Sequence, residues 1–343
     1  MQQVLEKLNV DAAIITNPKD IFYHTSFNGS SSIAILTKKN TYLITDPRYS
    51  HFKSKKCKVI ISKALKKDIQ EIIQKEKINT ISFQNFEVKY SSYWNLKRIF
   101  QDCSFKKDDG LIGELRVIKT TKEIELLTKA QRLNEKTLKH SLPNLKVGIT
   151  EKEFASIIKI HALKLGAEGF SFDPIVAFGK NSANIHHSPT NKKLRQTDLV
   201  LIDMGVSLNG YQSDMSRTFL PKNPSKEQKQ AYLTVLSSFK TGIQYSKEGT
   251  KIKELDKLSR EPLSPDNFKH ALGHGVGLDV HELPYISPKS KKSLKNNMVI
   301  TIEPGLYYKD KFGIRIEDVV VVSQKNGKSI SKFPTDISQV IWG

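Results

Sequence analysis

Five residues in the C-terminal two-thirds of the chain could support metal-assisted chemistry: Asp203, Asp214, His274, Glu303 and Glu317. Four carboxylates and one imidazole make an oxygen-rich donor set, suited to Mn²⁺, Co²⁺, Zn²⁺ or Fe²⁺ rather than to a thiolate site. If the four acids converge, they repel one another unless cations neutralise them. Two divalent ions would do so, and a metal pair roughly 3.5–4 Å apart is a recurrent hydrolytic device. His274 stands between Gly273 and Gly275, where backbone can approach a crowded site closely. His281 follows shortly after, and five of the nine histidines lie between His186 and His281.

Two hairpins must position the acids. Asn209-Gly210 is a strong two-residue turn signal, because both central positions need positive φ. With Leu208 facing Tyr211, Asp203 pairs with Ser216 and Asp214 with Gly205. The two acids then become diagonal neighbours on one face, about 7–8 Å apart at the backbone. In the second hairpin, Glu303 ends the run Val299–Ile302 and Pro304-Gly305 breaks it. A reversal centred on Asp310 sets Glu303 opposite Glu317. The pattern does not by itself bring the two hairpins side by side.

The remaining chain sets the frame. Its 343 residues suffice for two domains with buried cores. Hydrophobic content of 38% and a mean hydropathy of −0.41 suit a cytoplasmic protein, with no membrane-spanning run and no signal-peptide pattern. Two cysteines exclude a cysteine-based zinc site and a disulfide framework. The formal charge of +20 invites a nucleic-acid reading. Only eight of the 55 basic residues are Arg, however, and Lys is dispersed, whereas base readout relies on clustered Arg. No specific nucleic-acid partner is expected.

Residues 1–112 read as an alternating α/β domain. Its strands are expected at Ala12–Thr16, Ile33–Leu36 and Thr41–Thr45, its helix over Lys66–Lys77, and its exit as a polar linker at Gln101–Gly110. Residues 113–343 read as an α+β domain on a mainly antiparallel sheet. Capping-box spacings start helices at Thr120/Glu123 and Thr150/Glu153. Two further helices fall at Lys226–Tyr245 and Ile252–Ser259, and continuous strands at Tyr211–Leu220 and Ile314–Val322.

Taken together, Asp203-Met204-Gly205 with Gly210-Tyr211-Gln212-Ser213-Asp214, Gly273-His274-Gly275-Val276-Gly277 with His281-Glu282-Leu283-Pro284, Thr301-Ile302-Glu303-Pro304-Gly305 and Gly313-Ile314-Arg315-Ile316-Glu317-Asp318 resemble the proline-specific pita-bread metallopeptidases. These comprise Xaa-Pro aminopeptidase and Xaa-Pro dipeptidase, or prolidase. Asn17-Pro18, Phe27-Asn28-Gly29-Ser30 and Thr45-Asp46-Pro47-Arg48-Tyr49 resemble the family's creatinase-type N-terminal domain. The fold implied is a creatinase-like α/β domain followed by a curved, mainly antiparallel pita-bread domain.

The resemblance also implies roles. Asp203 would hold one metal, His274 with Glu303 the other, and Asp214 and Glu317 would bridge both. A hydroxide shared by the metals would be the nucleophile, with Glu303 as general base. His186 and His281 would stabilise the tetrahedral intermediate and bind substrate; His187, beside His186, matches less well. His270 and Arg315 would orient the ligands, and Arg315 would also contact substrate. Manganese comes first among the candidate metals, with Co, Zn and Fe alternatives. A homodimer is expected from the family alone.

The implied activity is release of the N-terminal residue from peptides with proline second, and prolidase is the alternative. The Thr45–Tyr49 run and Gly29-Ser30-Ser31 tilt toward the aminopeptidase. An Xaa-Pro bond has no N–H, so a dedicated pocket makes sense. Methionine aminopeptidase fits the N-terminal domain poorly, creatinase lacks this metal set, and an inactive binding protein would show missing ligands. Ser216 stands where the family often has Thr, and the segment from Arg260 to Phe268 is short for the family, which puts the pocket rim in question.

Overall fold

The computed structural model describes residues 2–343, and the chain divides into two compact units, one running to Arg116 and the other from Val117 to Gly343. In the first, strands β1 (Ala12–Ile15), β2 (Ser32–Thr37), β3 (Thr41–Thr45), β4 (Lys58–Ile61), β5 (Thr80–Phe83) and β6 (Ser104–Lys107) form one sheet in the order β4-β3-β2-β1-β5-β6. Only β2 runs antiparallel to its neighbours. The central β1, Ala-Ala-Ile-Ile, is buried along its whole length, as expected for a strand covered on both faces. Helices α1 (Gln2–Leu8), α2 (Pro18–Thr25), α3 (Leu65–Glu76), α4 (Tyr90–Ile99) and the short α5 (Leu111–Glu114) accompany it. Ile69 and Ile72 of α3 join the core with Ile14, Ile35 and Ile81.

The expected linker at 101–110 is a strand for four of its residues. Ser104–Lys107 is polar because it is an edge strand, partnered only by β5 and covered on neither end position. Residues 45–49 and 29–31 also have a local explanation. Asp46 caps a short 3-10 turn and accepts two bonds from the Arg48 guanidinium, while Tyr49 accepts from the Ser30 amide at 2.9 Å. A side chain at Gly29 would strike Phe27 and Tyr49. Packing within this unit therefore accounts for both motifs.

The second unit opens with α6 (Thr121–Ser141) and α7 (Glu151–Lys164), each started by the expected capping box, at Thr120/Glu123 and Thr150/Glu153. Strands β7 (Gly169–Phe170), β8 (Ile175–Phe178), β9 (Val200–Met204), β10 (Val206–Leu208), β11 (Tyr211–Gln212) and β12 (Met215–Pro221) follow. Next come α8 (Lys226–Tyr245) and α9 (Ile252–Arg260), then β13 (Gly273–Gly275), β14 (Glu282–Ile286), β15 (Val299–Ile302), β16 (Gly305–Tyr308), β17 (Phe312–Arg315) and β18 (Asp318–Val321). Among these, all pairings are antiparallel. One large core, including Phe154, Phe178, Tyr232 and Phe239, joins the helices to the sheets. No helix among the described residues is long and apolar enough to cross a membrane.

The two runs expected to be continuous strands are each interrupted. The first breaks at Ser213-Asp214 and the second at Ile316-Glu317, and both breaks fall on site acids.

Candidate metal centre

The first hairpin turns where expected. Asn209 and Gly210 have φ of 52° and 78°, Leu208 faces Tyr211, and Asp203 pairs with Ser216. The register is the same on both sides of the interruption at Gly205, with Met204 opposite Met215 and Ser207 opposite Gln212. The second hairpin turns around Asp310, at φ 60°. Ile302 faces Asp318 in one ladder and Gly305 faces Arg315 in the next, so Glu303 and Glu317 stand opposite each other in the gap between them. Glycines make the crowding possible: a Cβ on Gly273 would lie 2.0 Å from the Thr301 carbonyl oxygen, and one on Gly275 2.2 Å from that of Leu283.

All five proposed donors line one cavity of about 430 Å³, together with His186, His187, His270, His281 and Arg315. Asp214, His274 and Glu317 each offer a ligand atom within 4.8 Å of the others, and all three are buried. His274 Nε2 lies 3.4 Å from Glu303 Oε1 and 3.7 Å from Asp214 Oδ2. Asp203 is anchored differently. Its Oδ2 accepts from Arg315 Nη2 at 2.7 Å, while its buried Oδ1 has no hydrogen-bond partner among the described residues.

The electrostatics are those of a site built for cations. Burial pushes the carboxyl of Glu317 far above the usual range, helped by the charges of Asp214, Glu303 and Asp203. Burial does the same to Asp214, with Asp203 and Glu303 adding to it. Glu303 is pushed up to about 8, again mainly by burial. Burial also drives His274 down to about 4, so its imidazole is neutral near pH 7 and available as a ligand. Three crowded acids, a neutral histidine and an orphaned carboxylate oxygen fit a divalent metal, and this set is a candidate metal site.

The histidines around it differ in freedom. The His281 ring packs against His274, centroids 4.2 Å apart, and remains exposed. His186 is exposed in the cavity wall, whereas neighbouring His187 is buried and its Nε2 meets Glu151 Oε2 at 2.9 Å. His270 Nε2 meets the Tyr307 hydroxyl at 3.0 Å, and burial holds its pKa down to about 3. Arg315 donates to Asp203, to Tyr307 at 2.8 Å and to Ser216 at 2.8 Å. Its Nε, Nη1 and Nη2 are thus each engaged inside the protein.

Sequence reading missed Tyr307, which joins His270 to Arg315. The available signal was glycine on both sides of it: a Cβ at Gly305 would lie 2.6 Å from the Tyr307 hydroxyl, and one at Gly313 2.8 Å from its ring. It also missed Thr301, whose hydroxyl accepts from the His274 amide and donates to Glu303 Oε1 at 3.3 Å. Glu151 was missed too; its carboxylate receives Phe178 N, Asn181 Nδ2 and both Thr190 donors besides His187.

Residues 125–324 match metallopeptidase family M24, and residues 1–118 match the creatinase/prolidase N-terminal domain. An Xaa-Pro dipeptidase from Pyrococcus furiosus is 34% identical over 98% of this chain and 100% of its own length. A solved Xaa-Pro dipeptidase from Bacillus anthracis superposes with TM-score 0.94 at 30% identity, covering 99% of this chain and 97% of the other. A solved X-Pro aminopeptidase from Thermotoga maritima gives TM-score 0.91 at 31% identity, covering 99% of both.

Proposed function

From its membership of metallopeptidase family M24, to which the chain belongs with a creatinase-type N-terminal domain and a pita-bread catalytic domain, we propose that this protein hydrolyses the Xaa-Pro bond of dipeptides, as a prolidase. The observation that carries the proposal is the convergence of Asp203, Asp214, His274, Glu303 and Glu317 on one cavity. The dipeptide reading takes precedence over the aminopeptidase reading because the 34%-identical relative is an Xaa-Pro dipeptidase. The two motifs that favoured an aminopeptidase are explained by local packing. The T. maritima structure keeps the aminopeptidase as the second reading.

Asp214, His274 and Glu317 would hold a divalent ion, with Asp203 and Glu303 completing a two-ion site. Manganese is the first metal to test. When bound, such ions polarise a carbonyl oxygen and ease the ionisation of water near pH 7. The chain's own residues do the rest. Glu303, linked to Thr301, would take a proton and return it to the leaving prolyl nitrogen. His186 and His281 are exposed to the cavity and would bind the peptide and its developing negative charge. Arg315, with Tyr307 and Ser216, fixes Asp203 in place. The same reading has the protein act as a homodimer, which sedimentation of the full chain tests.

The deciding experiment supplies Mn²⁺ to metal-stripped protein with Ala-Pro or Ala-Pro-Ala as substrate. Cleavage of Ala-Pro alone is expected. Release of Ala from the tripeptide alone would install the aminopeptidase reading, and inactivity on both with Mn, Co, Zn and Fe would end the proposal.

A further inference from the structure

The interruption at Gly205 poses a hydrogen-bonding question. The hairpin keeps its register across the break, and Ser213 N still donates to the Val206 carbonyl at 3.0 Å, yet the regular pairing is interrupted at 205 and at 213–214. Side chains replace the reciprocal bond. Val206 N donates to Ser213 Oγ at 2.8 Å, and the Ser171 hydroxyl donates to the Ser213 carbonyl at 2.8 Å. Two further bonds come from one face of α6. Gln131 Oε1 accepts from the Asp214 amide at 3.3 Å, and Asn134 Nδ2 donates to the Met204 carbonyl at 2.8 Å. Met204 follows Asp203, so the helix grips the backbone of one acid and the residue next to the other.

Both helix residues are fully buried, and each has one polar atom without a partner among the described residues: Gln131 Nε2 and Asn134 Oδ1. An apolar helix face would avoid that desolvation cost, so two half-satisfied amides side by side need an explanation. Anchoring the backbone at Asp214 supplies one. The Ser213 amide bonds to the Val206 carbonyl at 3.0 Å, so the next pair, Asp214 opposite Gly205, exchanges no backbone bonds, and the Asp214 amide faces away from β9 toward α6.

We propose that Gln131 is a positioning residue for Asp214: its amide oxygen takes the Asp214 amide that the ladder leaves free and so fixes the backbone that aims the carboxylate, with Asn134 bracing the opposite strand at Met204. The inference rests on the reading of Asp214 as a metal ligand.

Co²⁺ titration of metal-stripped full-length protein tests it, followed by calorimetry and by the visible Co²⁺ absorption bands. Gln131→Met keeps the volume and removes the acceptor; it is expected to weaken Co²⁺ binding roughly tenfold and to alter the bands, as loss of a ligand-orienting partner does. Gln131→Glu keeps an acceptor oxygen at the same place and is expected to restore the wild-type bands. Leu138→Ala, a core change on the same helix, controls for general destabilisation. Wild-type affinity and bands in Gln131→Met, with loss in Asp214→Ala, would overturn this inference alone. So would an equal loss in Leu138→Ala at matched urea stability. Undiminished binding by Asp214→Ala would overturn the ligand assignment, and the inference with it.

Discussion

Two buried arginines sit on the two hairpins, and each reaches across to an acid of the other. Arg217 on β12 meets Asp318 at 2.8 Å, and Arg315 on β17 meets Asp203 at 2.7 Å. Their remaining partners differ. Arg217 spends its other donors on the carbonyls of Ser216, Glu317, Phe333 and Pro334, and Asp318 is satisfied in turn by Ser329. Arg315 ends on two hydroxyls and on a carboxylate whose second oxygen is buried and unpaired. The first network is closed, and the second ends on an unpaired carboxylate oxygen in the cavity. Burial and ion pairing alone would rate the two alike; the unpaired oxygen marks the second as the candidate for chemistry.

The contrast is sharpest under metal removal. Chelation is expected to abolish Xaa-Pro hydrolysis, a loss beyond roughly 10³-fold that Mn²⁺ reverses, because water activation is lost with the ions. Amide hydrogen exchange should rise around Arg315 and stay unchanged around Arg217. Equal change at both would dissolve the distinction.

Substitution comes next in size. Arg217→Met leaves the Asp318 carboxylate buried without its cation, so urea melts should show a loss of about 3–5 kcal/mol with little change in the kcat of the folded fraction. Arg315→Met in the metal-loaded protein should lower kcat/KM about 10–100-fold with a smaller stability change, since it frees a ligand rather than a core ion pair. Reversed results in steady-state kinetics and melts would exchange the two roles.

A pH series separates the regions more gently. Burial raises the pKa values of Asp214, Glu303 and Glu317 in the fold, that of Glu303 to about 8, so between pH 6.5 and about 8 the native state keeps a Glu303 proton that the unfolded chain has released. Stability of the metal-free protein should therefore fall as pH rises through that window, by up to on the order of 1.4 kcal/mol per pH unit for each acid still protonated. The buried histidines His270 and His274 titrate below it, at about 3 and about 4 in the fold, and act in the opposite sense only at lower pH. Bound metal should remove the decline, because it replaces those protons. Urea melts at pH 6.5 and 8, with and without Mn²⁺, read this directly.

The smallest effect belongs to Ser216. Its hydroxyl donates to Glu317 Oε2 and accepts from Arg315 Nε, both at 2.8 Å. Ser216→Ala should lower kcat/KM about fivefold, the scale of one net hydrogen bond, and Ser216→Thr should restore most of it.

Much of this was legible from residues near in sequence. Asn209-Gly210 fixed one turn and hence the Asp203–Ser216 pairing, and alternation around Asp310 fixed the other. The capping boxes marked α6 and α7 because caps are local hydrogen bonds. What escaped depends on distant partners. The breaks at Asp214 and Glu317 look like continuous strand because the propensity of their neighbours is unchanged there. Gln131 looks like an ordinary helix residue until Asp214, 83 positions away, is placed against it. Ser104–Lys107 was hidden because an edge strand need not be apolar. The cavity joins residues far apart in sequence, from Phe172 to Glu317, so no short motif encodes its rim.

The short stretch after α9 bears on that rim. Arg260 stacks over Phe268, its guanidinium carbon 4.0 Å from the ring centre, and donates to the carbonyls of Phe268 and His270 while holding Asp256. These bonds clasp the segment back onto α9, and His270, which follows it, lines the cavity and meets Tyr307. Closing a longer loop costs little entropy, about 0.6 kcal/mol for each doubling of its length. Added residues here would therefore be cheap in stability, and what they would loosen is the clasp: movement of His270 at this side of the cavity is coupled to the bonds that Arg260 makes to the Phe268 and His270 carbonyls.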